Sequence, residues 1–283
     1  MDNPLELYKK AIRLRIECLK SIHKASSGHT GGSLSVMDIL VTLYYGEISG
    51  KPIMNYDPEI PGWEDQDYFI LSKGHAAPAL YTILADLGFF DKSELDYLRS
   101  VNAMLQGHPV HKIPGITMTT GSLGQGFSSA HGLALALKMD RKKNKVFTVL
   151  GDGELQEGII WEVAMSAAHN KLDNLIAFID NNELQIDGFT RSIMNVEPIV
   201  DKFESFGWKT IQVKNGHDYE ELLSAVEKAF HVARKPTVIV CKTVKGKGVT
   251  FAERKASYHG VALSTQEMAE ATSAFEKELS KYK

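Results

Sequence analysis

The sequence predicts an α/β protein whose sheet is mainly parallel and carries helices on both faces. Two observations predict it. Residues 146–150 and 175–180 are short, nearly continuous apolar runs, the pattern of strands buried on both faces. Between them, residues 157–170 have helical composition and can form the crossover of a right-handed βαβ unit; the alternation recurs over residues 210–213, 219–233 and 237–241. Strand and helix in regular alternation are what a parallel sheet covered on both faces requires.

The remaining elements follow in chain order. Asn3-Pro4 reads as a helix start, with proline in the first turn, and Leu5, Tyr8, Ile12, Ile16 and Leu19 continue at helical spacing to an end near Gly28. A second helix is expected from Ser35. Residues 51–62, rich in proline and glycine, read as a connection before a short apolar run at 68–71. Helical patterns follow over 76–87 and 93–101, and a glycine-rich turn from Gly121 leads into 127–139, where alanine and leucine favour helix. The closing stretch 264–283 reads as a polar amphipathic helix, a surface element or linker, so one large domain is expected over 1–265 with 266–283 appended. There is no internal repeat, low-complexity tract or heptad run.

With 283 residues, the chain can bury a sizeable core. A hydrophobic share of 43%, a charged share of 24% and a net charge of -3 are ordinary for a globular protein and leave no basic excess for nucleic acid or an anionic membrane. Neither is an expected partner. Cys18 and Cys241 are too few for a disulfide framework or a zinc cluster, which suits a reducing compartment. No apolar leader segment opens the sequence and no apolar run approaches bilayer length, so a cytoplasmic location is expected.

The chemistry concentrates at Gly151-Asp152-Gly153, which follows one strand, and at Asp180-Asn181-Asn182, which ends the next about thirty residues on. Gly-Asp-Gly by itself reads as a turn. In a parallel sheet, however, the carboxyl ends of neighbouring strands line one crevice, where Asp152 and Asn182 can offer oxygen ligands to one hard cation. Magnesium fits that choice, because it takes oxygen ligands octahedrally and leaves positions for phosphate and water. The flanking glycines let backbone amides approach an anion. Lys245-Gly246-Lys247-Gly248 lacks the spacing of a phosphate loop and reads as a turn beyond a strand, its lysines within reach of the phosphate region. The glycines of 121–126 are spaced GxxGxG, with no strand immediately before them, and form no dinucleotide fingerprint.

This spacing resembles the thiamine-diphosphate motif, and the rest of the chain resembles the transketolase family. Ser27-Gly28-His29-Thr30-Gly31-Gly32 is similar to its SGHPG turn, Leu71-Ser72-Lys73-Gly74-His75 to LSNGH, Gly107-His108-Pro109 to GHP, and residues 119–126 to TTGPLGQG. Gly216-His217-Asp218, Cys241-Lys242-Thr243 and His259-Gly260 continue the series in the same order. The resemblance implies the thiamine-diphosphate-binding fold, specifically its diphosphate-binding (PP) domain. It implies that Asp152, Asn182 and the carbonyl of Leu184 hold Mg2+, with Ca2+ or Mn2+ as alternatives. His75, Gly121, Ser122, Leu123, Gly153, Glu154, Asn182, Ile186 and His259 would contact thiamine diphosphate, with Ile186 against the thiazolium. His29, His75, His108 and His259 would ring the reacting carbon, where imidazoles can donate or accept protons near neutral pH. Glu157 and Glu162 match glutamates at the family's dimer interface, although two acids near a helix start also simply complement its dipole. His23, His111, His131, His169, His217 and His231 read as structural or surface residues.

The family's second, pyrimidine-binding domain has no counterpart in this sequence. The expectation is therefore an amino-terminal subunit that joins a carboxy-terminal transketolase subunit, self-associates into a two-of-each heterotetramer and acts on sugar phosphates. Thr30-Gly31-Gly32, Ser122 and Glu154-Leu155-Gln156 depart from the family pattern. The alternatives are a 1-deoxyxylulose-5-phosphate synthase relative, the alpha chain of a 2-oxo acid dehydrogenase, and a non-catalytic regulatory subunit that binds thiamine diphosphate.

Overall fold

The computed structural model describes residues 1, 3–60 and 62–282, so Pro61 in the expected connection and Lys283 at the end of the last expected helix lie outside the described residues. Five parallel strands form the central sheet: β1 (Tyr68–Leu71), β2 (Val146–Gly151), β3 (Leu175–Asn181), β4 (Lys209–Val213) and β5 (Thr237–Lys242), in the order β1-β2-β3-β5-β4. The expected parallel sheet is present. Its register pairs Gly151 with Asp180 and Asp180 with Cys241, so β2, β3 and β5 end together and deliver their following residues to one edge.

Alternation along the strands divides the core in two. Phe147, Val149, Ile176 and Phe178 pack under α1 (Pro4–Lys24), α2 (Thr30–Tyr45) and α3 (Ala77–Asp86). Val146, Leu150, Ala177 and Ile179 face α4 (Gln125–Met139) and α5 (Gly158–His169). Burying one such large aliphatic or aromatic side chain contributes about 1.5–3 kcal/mol. Asn3 caps α1 by accepting from the Leu5 N–H at 2.9 Å, and Pro4 occupies the first turn, as its sequence predicts.

Two expected elements differ. Helix α2 begins at Thr30 rather than Ser35, so its first turn contains Gly31 and Gly32. Packing explains the glycines: a Cβ on Gly31 would sit 2.9 Å from the Tyr258 carbonyl oxygen, and one on Gly32 3.2 Å from the His75 ring. Within the expected helix at 93–101 only a short 3-10 turn, Lys92–Tyr97, forms, and Arg99 adopts a left-handed φ of 61°.

Beyond the sheet, α6 (Ile199–Ser205) and α7 (Tyr219–Phe230) complete the crossovers. The last helix, α8 (Thr265–Ser280), starts with a Ser264–Glu267 capping box and buries Met268, Ala271 and Phe275 in a cluster with Ile12 and Ile16 of α1. A small antiparallel hairpin, Leu184–Gln185 with Gly188–Phe189, projects from the carboxyl end of β3.

Candidate functional site

At the shared carboxyl edge lies a cleft of about 320 Å³. The structure brings His29, His75, His108, Gly121, Leu123, Asp152, Gly153, Glu154, Glu157, Asn182, Leu184, Ile186 and His259 to its walls. Two predicted residues fall outside it: Ser122 is exposed beside the cleft, and Glu162 is exposed on α5. Lys73, Gly151, Gln156, Gln185, Asp187 and Lys245 complete the lining.

Each imidazole arrives from a different element. His29 occupies the N-cap position of α2 without a side-chain capping bond, His75 is the middle residue of the 3-10 turn after β1, His108 lies in the long loop before α4, and His259 follows a 3-10 turn near the end of the domain. His29 is central, its ring centroid 5.1 Å from His75, 5.5 Å from His259 and 6.3 Å from His108. The His75 and His259 rings are 5.2 Å apart. Burial, reinforced by neighbouring cationic groups, holds His29 down at about 4 and His259 at about 3, and pushes His75 and His108 below the usual imidazole value. All four rings are therefore neutral at pH 7 and can accept a proton from, or donate a hydrogen bond to, a substrate hydroxyl.

The floor carries the charges. Asp152 follows β2, is 2% exposed, and uses one carboxylate oxygen on the Gly153 N–H at 3.0 Å. Its other oxygen, Oδ2, is buried and has no hydrogen-bond partner among the described residues. Burial and the nearby Asp180 carboxylate push Asp152 above the ordinary aspartate value. The Asn182 side-chain oxygen accepts from the Leu184 N–H at 3.2 Å, and the Leu184 carbonyl accepts from the Lys245 ammonium at 2.9 Å. Burial and the neighbouring Lys73 cation lower Lys245 below the usual lysine value. Among the described residues no group of three or more histidine, cysteine, aspartate or glutamate side chains is arranged to hold a metal ion. The donors present are a buried orphan carboxylate oxygen, an amide oxygen and a backbone carbonyl, a set that fits a hard, oxygen-seeking dication with room left for phosphate oxygens.

Glu154 and Asp180 support this floor. The buried Glu154 carboxylate accepts from Ser72 Oγ at 2.5 Å, the Gly124 N–H at 2.8 Å and the Gly151 N–H at 3.1 Å, which binds the 121–126 turn to the end of β2. Asp180 forms a buried salt bridge with Lys73 and accepts from Ser35 and Thr243. Lys73 lies inside the 71–75 segment and Asp180 inside the 180–182 triplet, yet the spacing of neither reveals that they pair across the sheet edge. For Lys73, a lysine just beyond a strand's carboxyl end was the available signal.

Residues 8–281 match the family profile described as transketolase, thiamine diphosphate binding domain. The chain belongs to the transketolase family. It is 44% identical to a 6-deoxy-6-sulfo-D-fructose transketolase subunit of Clostridium sp., with 98% of each chain covered. It is 38% identical to an apulose-4-phosphate transketolase subunit of Phocaeicola vulgatus, over 93% of this chain and 90% of that one. Human transketolase is 41% identical over 89% of this chain, which covers only 39% of the human protein. The solved transketolases of Leishmania mexicana and Campylobacter jejuni superpose with TM-scores of 0.86 and 0.85, at 28% and 30% identity. They cover 97% and 99% of this chain, which spans 44% and 48% of theirs, or about half of each. The fold of this chain is thus that of transketolase's thiamine diphosphate-binding part, and its family is one of transketolase-type transferases.

Proposed function

We propose that this chain is the diphosphate- and metal-binding subunit of a cytoplasmic transketolase that moves a two-carbon ketol group from a ketose phosphate to an aldose phosphate. The observation that carries this reading is the coincidence, in one cleft, of four neutral imidazoles and an orphan carboxylate oxygen on Asp152. Asp152, Asn182 and the Leu184 carbonyl would hold Mg2+, while Lys245 and Gly153 would face the diphosphate. Thiamine diphosphate, when bound, supplies an acidic ring carbon and an electron sink. His29, His75, His108 and His259 orient the sugar hydroxyls and move their protons, each ring able to accept at one nitrogen while donating at the other. Relatives named for a sulfonated fructose and for apulose-4-phosphate support an anionic ketose as the donor.

A second chain carrying the pyrimidine-binding domain is the proposed partner. Supporting it are relatives named as transketolase subunits and the exposed apolar side chains of Ile186, Ile193 and Met194 on and beside the hairpin at the cleft. Exposed Met139 on α4 and Met165 on α5, near Glu162, support further self-association into a heterotetramer. The two buried free thiols, Cys18 and Cys241, are consistent with a reducing compartment.

The test is to purify the chain from its own host with whatever co-purifies, and to assay ketol transfer with thiamine diphosphate and Mg2+. The expected result is transfer only when the second chain is present, abolished by chelation. Transfer by this chain alone, or none in a complex that holds both chains, would overturn the proposal.

A further inference from the structure

We infer that His217, which reads from sequence as a structural histidine, is a positioning residue for Lys245. The inference rests on the cofactor reading above. His217 lies in the loop between β4 and α7, with a side chain only 6% exposed. Its Nδ1 is 2.6 Å from the Asp38 carboxylate, and its Nε2 accepts from the Val244 N–H at 2.8 Å. A carboxylate on one side and an N–H on the other fix the tautomer: the proton sits on Nδ1 and the lone pair on Nε2.

The Asp38 end of this bridge is rigid. The carboxylate also accepts from Arg15 at 2.5 and 3.1 Å and from the Tyr219 hydroxyl at 2.8 Å, joining α1, α2 and α7 at one buried point. The other end is the segment that carries Lys245. Gly216 donates to the Lys242 carbonyl at 2.7 Å, Thr243 donates to the Asn181 carbonyl at 3.0 Å, and Lys245 reaches the Leu184 carbonyl at 2.9 Å. Val244 stands between these anchors, and its N–H has the His217 nitrogen as its acceptor. The loop also approaches too closely for a side chain at Gly216, where a Cβ would lie 2.7 Å from Thr243 Cγ2. His217 therefore transmits the position of a buried ion-pair cluster to the backbone beside the Lys245 side chain, without touching the cleft itself.

The experiment measures thiamine diphosphate binding by calorimetry, with Mg2+ present, on the complex in which the chain purifies. Variants His217→Phe and His217→Gln are compared in the native background and with Lys245→Met. Phenylalanine fills the space but offers no acceptor to Val244, whereas the glutamine amide oxygen can accept in place of Nε2. His217→Phe is expected to weaken binding about tenfold, the scale of one lost buried hydrogen bond. His217→Gln is expected to restore most of that. In the Lys245→Met background the His217→Phe effect is expected to fall below about twofold, since a residue acting through Lys245 has nothing left to position. An undiminished effect in that background, or unchanged affinity in folded His217→Phe, overturns the inference. Should His217→Phe fail to fold, His217→Asn, polar but too short to reach Val244, takes its place with the same two outcomes. If the unsubstituted complex takes up no thiamine diphosphate, the cofactor reading falls and this inference falls with it.

Discussion

The Lys73 ammonium and the Asp180 carboxylate form a salt bridge beneath the cleft, with side-chain exposures of 1% and 0%. Asp180 is held below its usual value, against the opposing effect of its own burial, by Lys73 and by hydrogen bonds from Ser35 and Thr243. Removing one member of such a pair strands the other charge in a dry interior. Lys73→Met is therefore expected to lower the unfolding free energy by about 3–5 kcal/mol in a denaturant titration. Lys73→Met combined with Asp180→Asn is expected to recover part of that loss; a double variant as unstable as the sum of the singles would show that the charges do not compensate one another.

The histidine ring has a pH consequence with a definite sign. His29 and His259 titrate near 4 and 3 in the folded protein but near 6.5 when unfolded, so the unfolded chain binds more protons between those values. Their contribution to stability is present above pH 6.5 and is lost as the pH falls through that window toward 3. Denaturant midpoints measured from pH 7 to pH 4 are expected to fall for the unsubstituted chain and to fall less steeply for His29→Asn or His259→Asn. Parallel slopes would place the acid sensitivity in other groups.

Much of this arrangement is legible in the sequence, and what is not has a common cause. Apolar runs locate β1, β2, β3 and β5 because a parallel sheet buries the faces of its strands, whereas the edge strand β4, Lys209-Thr210-Ile211-Gln212-Val213, exposes alternate residues and shows no such run; Gly151-Asp152-Gly153 with Asp180-Asn181-Asn182 marks the edge where the strand ends meet. The order β1-β2-β3-β5-β4 is not legible, since nothing in a strand's own residues records which neighbour it skips. Nor is the Lys73–Asp180 pair, whose members are 107 residues apart. Gly31 and Gly32 argue locally against helix, yet α2 starts before them because only glycine leaves space for Tyr258 and His75. The imidazoles were readable as types and positions, whereas their neutrality comes from burial and cations assembled by the fold.

Gly124 carries a comparable constraint. Its φ is 82°, in the left-handed region, and an added Cβ would lie 2.4 Å from Ile159 Cγ2. Gly124→Ala is expected to destabilise the protein by about 1–3 kcal/mol, through combined backbone strain and overpacking where α4 begins against α5. A melting temperature within error of the unsubstituted chain would mean that the 121–126 turn relaxes freely.

The C-terminal helix α8 is either an appended strip or part of the domain, and Phe275 distinguishes the two. It is 4% exposed, and one edge of its ring occupies the place a Gly248 Cβ would take, at 2.4 Å, just beyond the turn that carries Lys245. Phe275→Ala is expected to cost about 3–5 kcal/mol in a single cooperative transition if α8 is integral. Loss of α8 in a separate, earlier transition would assign it to a linker.

Ile186 offers the reverse signature. At 67% exposure near the tip of the hairpin, its side chain has little packing to lose, so Ile186→Asp is expected to change the unfolding free energy by no more than about 0.5 kcal/mol. The same substitution places a charge on the apolar rim where the proposed second chain would seat, and desolvating an unpaired carboxylate there is unfavourable. Co-purification of the partner and ketol transfer are therefore expected to drop together while the melting curve of this chain stays in place. A retained complex with lost transfer would instead locate Ile186 at the cofactor ring alone, and a shifted melting curve would mean that the hairpin contributes to the stability of the isolated fold.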